Sequence, residues 1–271
     1  MAKKLDDFLP KHKWLVCVDS DGCAIDSMEV KHRLAFGPIA ASEWRITSRK
    51  DEFLARWNDI NLYSATRGIN RFKGLSMIAK EFGWAGWEEI KQWTETSPLL
   101  SNEALAKESG DGLKKALKWS LAVNEAIEAL PLPKPFDGVE TALSRLGSLA
   151  DIAVVSSANP KAIREEWEAG GLMPYASVVT SQNDGPKAAI IACLLKKGYS
   201  PENVLVVGDA PGDMAAAREN NVSFYPIIPG KEAKCWQLLV SRAWQEFMDG
   251  QLDKSYVDEF CVKLNLLADE L

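Results

Sequence analysis

The sequence predicts an α/β fold: a parallel sheet wrapped by helices and interrupted by an inserted all-helical domain. Three observations predict it. Beyond Phe136, short apolar runs alternate with amphipathic helical stretches, the rhythm of a parallel sheet covered on both faces. Between Met28 and Leu130 there is no strand pattern, only apolar residues at helical spacing. Turn-rich or proline-rich segments flank that block on both sides, so it interrupts another domain rather than extending its end. The expected boundaries are a core of 1–27 and 131–271 and an insert of 28–130.

Residues 1–13 read as a polar lead-in broken by Pro10. The run 14–18, Trp-Leu-Val-Cys-Val, is a short apolar stretch suited to a buried parallel strand. It ends on Asp19-Ser20-Asp21-Gly22, and Cys23–Glu29 forms the first linker. In the insert, Asp51–Tyr63, Asn70–Phe82 and Asp111–Leu130 carry helical periodicity, with Gly83 as a C-terminal stop. Six of the ten tryptophans (Trp44, Trp57, Trp84, Trp87, Trp93 and Trp119) lie there and are expected to fill its core, a minority lining a substrate cleft. Pro131-Leu132-Pro133-Lys134-Pro135 is stiffened into an extended linker. Then come helix Val139–Leu149, strand Ile152–Val155, helix Pro160–Ala169, strand Ser177–Thr180 and helix Pro186–Lys197. Strand Val204–Val207, helix Gly212–Asn220 and strand Ser223–Ile228 follow, and 231–271 reads as two terminal helices. This is a Rossmann-like order, and sites in such sheets lie at the C-terminal ends of the strands.

Composition narrows the class. With 46% apolar residues the 271-residue chain can bury a sizeable core. A net charge of −6, with both signs interspersed, lacks the basic stripe of a nucleic-acid footprint. No run approaches the roughly 20 apolar residues of a membrane span. The charged start of the chain has no apolar run after it, so no secretory signal is expected. Five cysteines, an odd number without a C-x-x-C pair, suggest a reduced, cytoplasmic setting. His12 and His32 are the only histidines, which gives little support to histidine triads or histidine zinc sites.

The chemistry should therefore sit at the strand ends. The first strand ends in Asp19 and Asp21, the second in Ser156-Ser157, and a later one in Gly208-Asp209, with Asp213 four residues on. Lys187 opens the helix between the last two. Taken singly, each has a plainer reading. Asp-x-Asp-Gly can be a turn or a calcium-like loop, Ser156-Ser157 a helix cap, Asp209 a helix cap, and Lys187 a solvated charge. Taken together and in this order, they require four coincidences.

The ordered set Asp19-x-Asp21-Gly22, Ser156, Lys187 and Gly208-Asp209-x-x-x-Asp213 resembles the haloacid dehalogenase-like superfamily of phosphatases. The resemblance covers about 14–28 and 135–228. The insert is similar to the helical cap of the subgroup that holds phosphoglycolate phosphatase and β-phosphoglucomutase. The chain departs from its relatives in carrying Cys23-Ala24 for the usual Thr-Leu or Val-Leu, and Ala188 where many have proline. Neither change removes a functional group.

The implied chemistry is consistent with the residue types. Asp19 would attack phosphorus and form an acyl phosphate. Asp21 would protonate the leaving oxygen and then deprotonate water. Carboxylates around a phosphate require a cation, and oxygen ligands point to Mg²⁺. The expected metal set is Asp19 and Asp209, the Asp21 main-chain carbonyl by resemblance, and Asp213 directly or through a water. Ser156, Ser157 and Lys187 would bind the phosphoryl oxygens. By the same resemblance, members that cleave carbon–halogen bonds lack the second aspartate, so Asp21 favours phosphate esters.

In the insert, Arg67, Asn70, Arg71 and Lys73 are candidates for holding the substrate. Arg67 and Arg71 would share a face if both lay on a helix. A solvated basic face is the competing reading. The expected protein is a Mg²⁺-dependent phosphatase whose cap closes over a small phosphorylated metabolite. A phosphomutase of the same build is the alternative, and a non-catalytic binding protein on this scaffold is the reading from another class. No nucleic-acid or membrane partner is expected, and the oligomeric state is open.

Overall fold

The computed structural model describes residues 5–266. Residues 1–4 of the expected lead-in and 267–271 of the expected terminal helices lie outside the described residues. The chain divides into two compact units. One runs to Ser27 and resumes at Leu132; the other is Met28–Pro131.

The first unit is built on five strands, β1 (Trp14–Val18), β2 (Ala150–Val155), β3 (Val178–Thr180), β4 (Val204–Gly208) and β5 (Ser223–Pro226). They pair in the order β3-β2-β1-β4-β5, every pair parallel. Val18 at the end of β1 stands opposite Val154 on one side and Val207 on the other. β2 and β4 are buried throughout, and β1 from Leu15 on. Such central strands need apolar residues on both faces, which is why they read as continuous apolar runs.

Helices cover the sheet: α1 (Val139–Leu146), α2 (Pro160–Ala169), α3 (Lys187–Leu195), α4 (Pro211–Glu219), α5 (Glu232–Leu238) and α6 (Ser255–Leu264). α1 buries Val139, Ala142, Leu143 and Leu146, the i, i+3, i+4, i+7 stripe of an amphipathic helix. It stops three residues before the expected Leu149, because Gly147 closes its last turn on Leu143 O and β2 begins at Ala150. α2 starts where Asn159 Oδ1 accepts Lys161 N at 2.9 Å, with Pro160 at the first helical position. α5 runs on through a π turn, Leu239–Ala243, into the helix Trp244–Met248.

The segment after β5 packs on the sheet. Phe260 meets Phe224 edge-on at 5.7 Å, and Phe247 meets Trp14 at 5.2 Å. At the opposite end of the sheet from the strand C-termini, buried Asp151 accepts Lys11 N, His12 N and the Tyr199 hydroxyl at 2.7–2.9 Å. This buried carboxylate is thereby satisfied, and it ties the lead-in to β2.

The second unit is helical, with no strand among its described residues. Its main helices are Gly37–Glu43, Lys50–Asn58, Arg71–Glu81, Trp87–Thr96 and Asp111–Glu128. Trp57, Trp84, Trp93 and Trp119 are buried in its core, and Trp44 stacks on Trp84 at 4.5 Å. The helix expected over 51–63 breaks at Asp59 into a π turn, Asp59–Tyr63. There the Asn61 side chain donates to Trp57 O at 2.8 Å, taking the carbonyl that an uninterrupted α-helix would use. Asn70 is the cap of the next helix, its Oδ1 accepting Phe72 N at 2.9 Å, and Gly83 follows its end with φ +63°.

All five cysteines are free. No helix among the described residues is long and apolar enough to cross a membrane.

Candidate active site

The end of β1 is followed by a tightly closed turn. Asp19 N donates to Val207 O at 3.0 Å, extending the β1–β4 ladder by one residue. Ser20 O then accepts the amides of Cys23, Ala24 and Ile25, while Gly22 N donates to Ile25 O at 2.9 Å. Gly22 has φ +79°, a backbone state that costs glycine little. The turn holds Asp19 buried and Asp21 half-buried, with the Ser27 hydroxyl donating to the Asp21 carboxylate.

Lys187, the first residue of α3, bridges two carboxylates. Its Nζ is 2.8 Å from Asp19 Oδ1 and 2.5 Å from Asp213 Oδ1. The second oxygen of Asp213 accepts Ala210 N at 3.1 Å, which fixes the carboxylate at the start of α4. Gly208 makes room for it: a Cβ on residue 208 would lie 2.4 Å from the Asp213 side chain. Asp209 follows directly, 1% exposed. Asp19, Asp209 and Asp213 offer carboxylate oxygens that all lie within 4.8 Å of one another.

The electrostatics of this cluster ask for more positive charge. Burial pushes the Asp19 carboxyl up; Lys187 pulls it down, and Asp213 and Asp209 push it further up. Burial also works against the Lys187 ammonium, but Asp19 and Asp213 outweigh it and hold its pKa high. The Lys187 ammonium thus bridges two of three neighbouring buried carboxylates, and the donors of this cluster are oxygen only. That set fits a hard divalent cation.

Ser156 lies just past β2, the strand beside β1; it is buried, and its Oγ accepts Ala158 N at 3.2 Å, leaving its hydroxyl proton free to be donated. Ser157 is exposed. Short distances therefore unite Asp19, Lys187, Asp209 and Asp213, and strand register brings Ser156 to the same edge.

The candidates of the helical unit are dispersed. Arg67 precedes the helix Arg71–Glu81, so it and Arg71 do not share a helical face as they would on one continuous helix. Arg67 is buried, its Nη1 donating to Leu62 O at 2.8 Å. Arg71 reaches Asn124 Oδ1 at 2.7 Å and Ser120 Oγ at 3.1 Å, and lies over the Phe36 ring. Asn70 and Lys73 are exposed.

Sequence reasoning missed the groups that support the loop. Ser27, inside the expected linker Cys23–Glu29, holds Asp21. Trp167 Nε1 donates to Ser20 Oγ at 2.9 Å from α2. Gly208 was visible only as the residue before Asp209, and its clearance for Asp213 has no local signal.

A family model for haloacid dehalogenase-like hydrolases matches residues 78–227, over half of the chain. The match includes Ser156, Lys187, Asp209 and Asp213; Asp19 lies outside it and is joined to it by the Lys187 ion pair. No curated protein sequence matches. Among solved structures, a "putative beta-phosphoglucomutase" of Bacteroides vulgatus aligns at 14% identity and TM-score 0.55, over 89% of this chain and 90% of that one. A protein of Thermotoga maritima with the same description aligns at 17% and 0.54, over 84% and 99%. A "predicted phosphoglycolate phosphatase" of Haemophilus somnus aligns at 17% and 0.52, over 82% and 91%. At these identities the likeness is one of fold.

Proposed function

This chain belongs to the haloacid dehalogenase-like hydrolases, and from that premise we propose that it is a Mg²⁺-dependent phosphatase acting on a small phosphorylated metabolite. The observation that carries the reading is the buried cluster at the ends of β1 and β4, where Lys187 bridges Asp19 and Asp213 beside Asp209. A hydrolase of this family that retains the second aspartate, Asp21, has both groups that ester chemistry needs.

Asp19 is the nucleophile. Its carboxylate oxygen attacks phosphorus, the bond to the ester oxygen breaks, and an aspartyl phosphate forms. Asp21, oriented by the Ser27 hydroxyl, gives its proton to the leaving oxygen. It then takes a proton from the water that attacks the acyl phosphate, which releases inorganic phosphate and restores Asp19. The Ser156 hydroxyl donates to a phosphoryl oxygen, and Lys187 offsets the charge that develops there. Asp213, with one oxygen on Lys187 and the other on Ala210 N, holds the lysine against Asp19. Asp19 and Asp209 would hold the cation, with Asp213 beside them and the Asp21 main-chain carbonyl added by resemblance. When bound, the cation supplies charge neutralisation between carboxylate and phosphate. The helical unit is proposed as the cap that selects the substrate, with Arg67, Asn70, Arg71 and Lys73 as candidates.

The test is phosphate release from an aryl phosphate and from a panel of phosphorylated metabolites. Turnover should require Mg²⁺, stop on chelation, and vanish in Asp19→Asn. Turnover unaffected by chelator, or retained in Asp19→Asn, would contradict the proposal. Transfer of the phosphoryl group to an added sugar phosphate, without net phosphate release, would identify a mutase instead.

A further inference from the structure

The C-terminal extension begins beyond the last strand, yet it reaches the turn that carries the two aspartates. Trp236 of α5 is fully buried, and its Nε1–H donates to the main-chain carbonyl of Cys23 at 3.0 Å. The two residues are 213 positions apart. Cys23 is itself fully buried, so water cannot supply its carbonyl with a partner. The other supports of the turn come from elsewhere. Trp167 holds Ser20 Oγ, Ser27 holds Asp21, and Phe136 N donates to Ala24 O at 3.1 Å. α5 is in turn anchored on the sheet, where the Tyr225 hydroxyl donates to Cys235 O at 2.8 Å.

We propose that Trp236 is a positioning residue: through its bond to Cys23 O, the C-terminal extension sets the conformation of the Asp19–Ile25 turn and with it the placement of Asp19 and Asp21. The inference rests on the phosphatase reading for its catalytic consequence. Trp236 touches none of the reacting groups. It acts on the turn whose amides at 23, 24 and 25 converge on Ser20 O, the segment that separates the two carboxylates. Without the indole N–H, a buried carbonyl lacks its donor, and the turn gains an incentive to open toward water.

The experiment compares Trp236→Phe with Trp244→Phe. Trp244 lies in the same extension, is also buried, packs on Trp14 and Phe247, and its Nε1 makes no hydrogen bond. Two readouts are taken: hydrogen–deuterium exchange of the amides at 23–25, and steady-state kinetics on an aryl phosphate with Mg²⁺. Trp236→Phe should speed exchange in the turn and lower kcat about ten- to a hundredfold with KM nearly unchanged, as for misplaced reacting groups. Trp244→Phe should change neither, although it also loses buried aromatic surface. Turn exchange equal to wild type in Trp236→Phe, or faster exchange with unchanged kcat, would overturn the proposal. Equal losses in both variants would also overturn it, because they would mark general destabilisation. Should Trp236→Phe fail to fold, the wild-type protein decides. The Trp236 indole proton should exchange as slowly as the turn amides, and exchange as fast as that of Trp244 would overturn the bond. A wild-type chain that releases no phosphate would end the phosphatase reading, and the exchange comparison would still decide whether the extension clamps the turn.

Discussion

Gly208 and Asp213 show how little slack the site has. A methyl group on residue 208 would lie 2.4 Å from the Asp213 carboxylate carbon, so the side chain that holds Lys187 would have to move. Gly208→Ala should destabilise the protein by about 1–3 kcal/mol in urea unfolding and lower turnover beyond what that loss explains. Unchanged activity would mean that Asp213 can shift without consequence. Asp19 carries a second prediction. Burial raises its carboxyl pKa in the folded chain, with Asp213 and Asp209 adding to the rise. Above the ordinary carboxylate range the metal-free folded chain therefore keeps a proton that the unfolded chain has lost. Stability then falls as pH rises until the folded pKa is passed. Unfolding midpoints measured against pH in chelator should show that fall, and Asp19→Asn should flatten it. At this scale Asp19 and Asp209 were legible because each directly follows an apolar strand, and Asp21 and Asp213 because they stand two and four residues further on. Trp236 and Trp167 were not, because their partners are distant in sequence and adjacent only in space, and Gly208 was not, because its clearance for the nearby Asp213 shows only in three dimensions.

At the scale of elements, the strands were the most legible parts. Short β-branched runs bounded by turn residues have few other uses, and Val204–Val207 and Ser177–Thr180 differ from the observed strands by a single residue at one end. Helices were less so. Periodicity alone joined Asp51 to Tyr63, whereas the Asn61 side chain competes for a main-chain carbonyl and turns the second half into a π turn. The same limit affected Arg67 and Arg71. Spacing places them on a common face only if the helix includes both, and Asn70 caps it between them. Arg71 is tied to Asn124, Ser120 and the Phe36 ring, all within its own unit. Arg71→Ala should therefore cost about 1–3 kcal/mol in urea unfolding, from charge-assisted hydrogen bonds and the ring contact. An unchanged midpoint would leave substrate contact as its role. A raised KM at full stability would point the same way.

Over the whole molecule, the groups of the proposed reaction come from four separated stretches of chain. Asp19 and Asp21 precede the helical unit, Ser156 and Lys187 follow it, and Asp209 and Asp213 come last before β5. A parallel sheet makes this arrangement feasible, since every strand delivers its C-terminal end to one edge. The C-terminal extension was legible only as two helices. Its hold on Cys23 O makes it part of the support for the same edge. The central claim is that Asp19 carries the phosphoryl group, and Asp21→Asn offers the most direct test. An aryl phosphate has a good leaving group, so it can phosphorylate the enzyme without an acid, while hydrolysis of the intermediate still needs the base. Acid quench of Asp21→Asn with aryl phosphate and Mg²⁺, followed by peptide mass spectrometry, should find one phosphoryl group on Asp19. Turnover by the wild type with no phosphoryl group trapped in the variant, or with the group on any other residue, would contradict the account.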